Sequence, residues 1–193
     1  MNLREKFLEY FSKINREGKE ELFNHLEECC YFTAPSSSSY HGAHISGNFE
    51  HSMAVTEQLL KFHAAQDIIN IPEESLIICG LFHDLGKSDY YQKPTYIQNL
   101  LKSGKQSESK PYKTNSDLLG IPHQVASIHI LARFIKLTEQ ETFAILYHNG
   151  LYTPDGRVIQ GKEQALQQLL HWADMWESRF NCKENAELSN ALF

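Results

Sequence analysis

The sequence predicts an all-α bundle carrying one small β-hairpin insertion at about residues 94–114. Apolar residues recur at helical spacing through most of the chain, capping and breaking signals separate those stretches, and the 94–114 stretch alone loses the period. A length of 193 residues suits a single domain able to bury a sizeable core. The expected layout is N-terminal packing helices in 1–30, a core in 31–180 and a tail in 181–193.

Two amphipathic stretches, roughly 2–14 and 18–28, open the chain, the first placing Leu3, Phe7, Leu8 and Phe11 on one face. Ala34-Pro35 and four serines then end any helix, and Tyr40-His41-Gly42 leads to a turn at Gly47-Asn48. From there to about Ala65, His51, Val55, Leu59 and Phe62 share a helical face, which puts a histidine in line with core residues. Pro72, Glu73 and Glu74 mark the start of a helix predicted to stop at Gly86, just past His83-Asp84. Leu76 and Gly80 precede that pair on adjoining rows, so both polar side chains extend an inward stripe.

The hairpin is predicted from Tyr96–Leu100 and Lys110–Lys113, which flank the turn-like Lys102-Ser103-Gly104-Lys105. A helix from about Pro122 to Lys136 aligns His123, Ser127, Ile130 and Phe134. Thr138-Glu139-Gln140-Glu141 is a capping box opening a helix that stops at Asn149-Gly150, with His148 in its last turn. A last helix, about Lys162 to Phe180, sets Leu166, Leu170 and Asp174 in one row.

A net charge of -6 and a pI of about 5.9 exclude a protein that coats duplex nucleic acid. They leave small phosphorylated ligands open. The charged N-terminus lacks the apolar stretch of a signal peptide, and runs such as Leu76–Phe82 are too short to span a bilayer, so a cytoplasmic protein without membrane contact is expected. Cys29, Cys30, Cys79 and Cys182 have neither disulfide-framework nor zinc-ribbon spacing and read as reduced structural thiols.

Six polar residues, His51, His83, Asp84, His123, His148 and Asp174, prolong an apolar helical row or close a helix beside one. A lone histidine in such a place is usually a hydrogen-bonded core residue. Several converging with carboxylates need a cation, since buried charge is costly unless paired or coordinated. One divalent ion, or two, would serve. Imidazole and carboxylate without thiolate suit manganese, iron, cobalt, nickel or zinc, and magnesium where carboxylates dominate.

These residues resemble the signature of the HD-domain phosphohydrolases: a His, a His-Asp pair and a distant Asp. The matching positions are His51, the pair within Cys79–Lys87, and Asp174 within His171–Trp176. The chain is most similar to bacterial and phage HD hydrolases related to the HD domain of the YhaM-type 3'-5' exoribonucleases. That likeness runs from about Tyr31 through Phe180 and includes Phe32–Pro35, Tyr40–Gly42, Glu50–Ser52 and Phe134–Thr138. It implies an HD helical bundle in which His51, His83, Asp84 and Asp174 hold one metal and His123 and His148 support a second. Gly47-Asn48-Phe49 replaces the family's frequent Gly-Gly, and Pro122-His123-Gln124 replaces its Gly-His-Gly.

The expected reaction is hydrolysis of a phosphate ester of a nucleotide or of a single-stranded nucleic acid 3' end, by a metal-activated water. Asp84 would bridge the metals and orient the nucleophile. Lys87, one turn past His83, would neutralise a phosphate oxygen, the alternative being a solvated lysine favoured by the helix dipole. Between Gly86 and Thr114 six lysines face two acids, a cluster able to attract phosphate or simply to keep an exposed edge soluble. Lys93 and Lys113 are the substrate-binding candidates within it, with His41 from the loop before His51. Tyr90, Tyr91, Tyr96 and Tyr112 interleave with these lysines as stacking surfaces for a base. His44, His63, His129 and His171 read as surface or packing residues. A diiron oxygenase on the same cage and a non-catalytic nucleotide-binding module are the competing classes.

Overall fold

A computed structural model describes residues 1–66, 70–88 and 93–181. Among these, seven α-helices and a two-stranded antiparallel sheet make the architecture: α1 Leu3–Ser12, α2 Lys19–Glu28, α3 Gly47–Ala64, α4 Glu73–Phe82, β1 Tyr96–Gln98, β2 Tyr112–Thr114, α5 His123–Ala132, α6 Glu139–Leu146 and α7 Ala165–Trp176. The mostly helical chain and its hairpin agree with the sequence reading. No helix among the described residues is long and apolar enough to cross a membrane. Residues 182–193, which include Cys182, and Tyr90 and Tyr91 lie outside the described residues.

One hydrophobic cluster runs from Phe7 in α1 through Leu59, Ile78, Phe82 and Ile145 to Leu170 in α7, so the N-terminal helices share the core of the rest. The α3 and α4 backbones meet at Gly80, where a Cβ would stand 2.8 Å from Thr56 Cα. Glycine is required there because no side chain fits between the two helices. Phe7 and Phe11 form the buried row of α1, while Leu8 is 43% exposed. Leu8 sits about 100° around the helix from Phe7, so it misses the face that its neighbours occupy.

Four helices, α4, α5, α6 and α7, differ from expectation in where they begin or end. The α4 helix stops at Phe82, not Gly86. The carbonyl of His83 accepts from Ser127 Oγ at 2.8 Å, and the Lys87 amide donates to Asp84 O at 3.0 Å, converting the last turn to a 3-10 turn at Leu85–Lys87. The α6 helix ends at Leu146, leaving His148 beyond its last turn. The α7 helix begins at Ala165, after Gly161 in a left-handed conformation, and passes into a π turn at Glu177–Asn181. The α5 helix ends at Ala132, and four residues further on Arg16 Nη1 donates to Lys136 O at 2.7 Å.

The hairpin pairs Tyr96 with Thr114, Ile97 with Lys113 and Gln98 with Tyr112. Its stem is tied to the core where Thr95 Oγ1 donates to Gly86 O at 3.0 Å and the Tyr112 amide to Ser38 O at 3.1 Å.

The capping box of α6 also anchors the first loop. Glu141 accepts from Thr138 N at 2.7 Å, Ser75 Oγ at 2.7 Å and Arg16 Nη2 at 2.7 Å, with its side chain 0% exposed. Burial pushes the Glu141 carboxyl up, but these donors outweigh it and hold the group below its usual 4.5. Its contribution to stability is therefore present above about pH 4.5 and lost as the pH falls through the lower folded value. Replacing Glu141 by Ala strands Ser75 and part of Arg16, and is expected to cost about 3 kcal/mol in urea unfolding at pH 7. A cost under about 1 kcal/mol would show that the network is not a structural tie.

Candidate metal centre

Five separate segments deliver the six predicted residues to one place. His51 comes from the first half of α3, His83 and Asp84 from the turn after α4, His123 from the first position of α5, His148 from just beyond α6, and Asp174 from α7. Asp84 is the hub, with 1% of its surface exposed. Its Oδ2 lies 3.5 Å from His83 Nε2 and 3.8 Å from His51 Nε2, and its Oδ1 lies 3.2 Å from His123 Nε2 and 3.6 Å from His148 Nε2. His51 Nε2 is 3.0 Å from Asp174 Oδ1, and the His123 and His148 Nε2 atoms are 3.4 Å apart. The carboxylate thus divides two half-sites, one with His51, His83 and Asp174 and the other with His123 and His148.

Local hydrogen bonds aim these rings. His83 Nδ1 faces Gly80 O at 2.9 Å and His148 Nδ1 faces Ile145 O at 2.8 Å. A ring nitrogen against a carbonyl oxygen carries the proton, so both Nε2 atoms face Asp84, and the neutral His83 ring presents a bare lone pair there. His171 Nδ1 in turn meets His148 O at 2.8 Å, which makes His171 a packing residue behind a predicted ligand. Ser127 Oγ, besides reaching His83 O, accepts from the Gly86 amide at 2.8 Å. A Cβ on Gly86 would stand 2.2 Å from His123 O, so glycine lets the 3-10 turn lie against α5. From the other side, Asn48 Nδ2 donates to Asp84 O at 3.1 Å and to Ser88 Oγ at 3.0 Å.

The donor set fits a cation. Ligand atoms about 2.0–2.2 Å from one ion stand roughly 3 to 3.5 Å apart, close to the 3.2 to 3.8 Å separations around Asp84. His51, His83 and Asp174 form one group able to hold a metal, and His83, Asp84 and His148 another. His83 Nε2 and Asp84 Oδ1 are buried and make no hydrogen bond among the described residues. Polar atoms left in that condition cost free energy unless something coordinates them.

Burial lowers His83 to about 4, His123 to about 3 and His41 to about 4, so all three rings are neutral near pH 7 and free to coordinate or accept. Burial is the largest single influence on Asp84 and opposes its ionisation, but the Lys87 ammonium at 2.6 Å from Oδ2, together with the neighbouring histidines, holds the carboxyl well below the usual range. Burial likewise opposes ionisation of Asp174, where the hydrogen bond from His51 and the nearby histidines together keep it ionised.

Above the centre opens a cleft of about 830 Å³. Lys87, His41, His123 and Asp174 line it, together with Tyr96 of β1. Lys93 and Lys113 do not. Tyr96 turns toward the cleft, and Lys113, paired with the next residue Ile97, falls on the opposite face of the ribbon. Lys93 Nζ reaches Asp117 O at 3.5 Å instead. The cleft also contains Arg179, Tyr40 and Tyr152, none of which the helical pattern singles out. Arg179 sits in the π turn, whose extra residue per turn defeats a reading based on a 3.6 period.

Compared with protein-family models, curated proteins and solved structures, the chain gives no match.

The neutral histidines set a stability profile. Unfolding returns His41, His83 and His123 to about 6.5, so between pH 6.5 and 4 the unfolded chain binds more protons than the folded one. Stability of the metal-free protein is expected to fall as pH drops through that window, with about three protons taken up from these groups at pH 5.5. Thermal melts across the range check it, and a melting temperature independent of pH from 6.5 to 4.5 would contradict the buried neutral rings.

Proposed function

We propose that this chain is a metal-dependent phosphohydrolase built on an HD-type helical bundle, acting on a phosphate ester of a nucleotide or short single-stranded nucleic acid. The observation that carries the reading is Asp84, a buried carboxylate with imidazole nitrogens facing each of its two oxygens. A carboxylate placed between two donor sets suits a bridging role between two divalent ions. Manganese, iron, cobalt, nickel and zinc match the imidazole-rich donors, and magnesium matches the two carboxylates.

Divalent ions bound by these residues would supply Lewis acidity, lowering the pKa of a water from about 15.7 toward about 7 and withdrawing charge from phosphorus. The chain's own residues do the rest. Asp84 and Asp174 remain ionised and keep the centre anionic. His41, neutral and lining the cleft beside His51, can accept or relay a proton without adding repulsive charge. Lys87 and Arg179 give the cleft cationic groups for phosphate oxygens. Tyr40 and Tyr152, 76% and 73% exposed, and Tyr96 provide aromatic faces for a base. The cations favour hydrolysis of an anionic substrate over an oxygenase reading of the same cage.

The test is elemental analysis of purified protein followed by a panel of phosphomonoesters, nucleotides, cyclic dinucleotides and short single strands with each divalent ion. Asp84→Asn is expected to reduce turnover about a thousandfold or more, because it removes the shared ligand of both half-sites. Full activity in that variant overturns the assignment. Nucleotide binding without phosphate release under any ion points to the binding-module alternative.

A further inference from the structure

Lys87 stands where a single side chain can serve two charges in turn. It follows the His-Asp turn on the 3-10 segment Leu85–Lys87, with its side chain 16% exposed and its Nζ 2.6 Å from Asp84 Oδ2. That oxygen is the one facing the half-site of His51, His83 and Asp174, whereas the other oxygen faces His123 and His148. The same lysine also lines the cleft, where Tyr96, His41 and Arg179 are its fellow lining residues.

We infer that Lys87 is an exchangeable cation: it balances Asp84 in the metal-free protein, yields Oδ2 to a divalent ion, and then turns into the cleft to receive an anion. This rests on the proposed metal centre. Two positive groups cannot share one carboxylate oxygen at contact distance without strong repulsion, so an ion on Oδ2 displaces the ammonium. Asp174 is a poor second home for the lysine, because its Oδ1 already accepts from His51 at 3.0 Å and from Ser178 Oγ at 3.2 Å and its carboxylate belongs to the same proposed half-site, where a bound ion would compete for it. The remaining direction is the cleft, whose lining adds no further acidic side chain. An ammonium sent there is satisfied by an anionic group such as phosphate. Metal and phosphate binding are then coupled: the ion releases the lysine, and the lysine holds the anion.

The coupling differs from a fixed phosphate-binding lysine in one respect. While Lys87 sits on Asp84, the half-site is closed to metal, and the apparent affinity is reduced by the fraction of time it is open. Removing the lysine should therefore tighten metal binding while it weakens anion binding.

Cobalt(II) titration of metal-free protein, followed by its visible absorption, measures the first effect. Lys87→Met is expected to bind cobalt about tenfold more tightly at one half-site. Inorganic phosphate titrated into the cobalt-loaded proteins measures the second, with at least about tenfold weaker binding in Lys87→Met. Lys87→Arg, which keeps the charge, is expected to retain phosphate binding and guards against a folding defect in the methionine variant. Equal cobalt affinity in wild type and Lys87→Met overturns the exchange, as does a cobalt-loaded crystal structure with Nζ still on Asp84 Oδ2. Failure of the wild-type protein to take up any divalent ion is a separate result, which removes the metal centre itself.

Discussion

A carboxylate as deeply buried as Asp84 stays ionised only if its surroundings replace the water it has lost, and the fold is arranged to supply that replacement. Lys87 provides the positive charge at 2.6 Å from Oδ2, while Oδ1 is left without a hydrogen bond among the described residues. Moving a single ion of this size from water into protein costs several kcal/mol even after relaxation. The rest of the chain, folded around an apolar cluster from α1 to α7, must hold that polar centre open against its own tendency to collapse.

The holding is done mainly by backbone. Where α4 would have continued, Ser127 takes the His83 carbonyl and the Gly86 amide, while Asn48 takes the Asp84 carbonyl. Two side chains from different helices thus fix the turn from opposite sides. His83 and His148 are aimed by carbonyls three residues earlier in their own segments. Each ring is positioned by the end of a helix, where carbonyls have no intrahelical partner and are available as acceptors. Helix ends are for this reason natural places to mount side chains aimed in this way, and the His-Asp pair and His148 both lie just past one.

The helices and the hairpin were legible in the sequence because each rests on periodicity or on a local signal, which also set the six centre residues on apolar rows or at helix ends without showing that they converge. His51 and Asp174 continue rows of buried residues, and Thr138 with Glu141 forms the expected capping box. The end of α4 beside the centre was not legible, since the helix is cut short where Ser127, arriving from α5, takes the His83 carbonyl. Local sequence carries no trace of a partner more than forty residues away. Lys93 and Lys113 looked favourable through the lysine-rich composition of the hairpin, but composition does not reveal which face of a ribbon each residue takes. Asn48 showed only as a turn former, and Arg179 was hidden in a π turn.

The N-terminal helices, remote from the chemistry in sequence, have a mechanical part in it. Phe7 packs against Phe11, Tyr31, Phe32 and Phe49, and Tyr31 packs against Phe82, the last residue of α4. The Tyr31 hydroxyl donates to Leu81 O at 2.8 Å, satisfying a carbonyl that the early end of α4 leaves over. The same aromatic group includes Phe49, which directly follows Asn48 and stands two residues before His51. Close-packed aromatic interiors have few voids to absorb a displacement and therefore transmit it. The cluster therefore ties α3, which carries His51 and Asn48, to the end of α4, which carries His83 and Asp84. Spacing between the segments that carry His51 and the His-Asp pair is set by rings that never touch the centre.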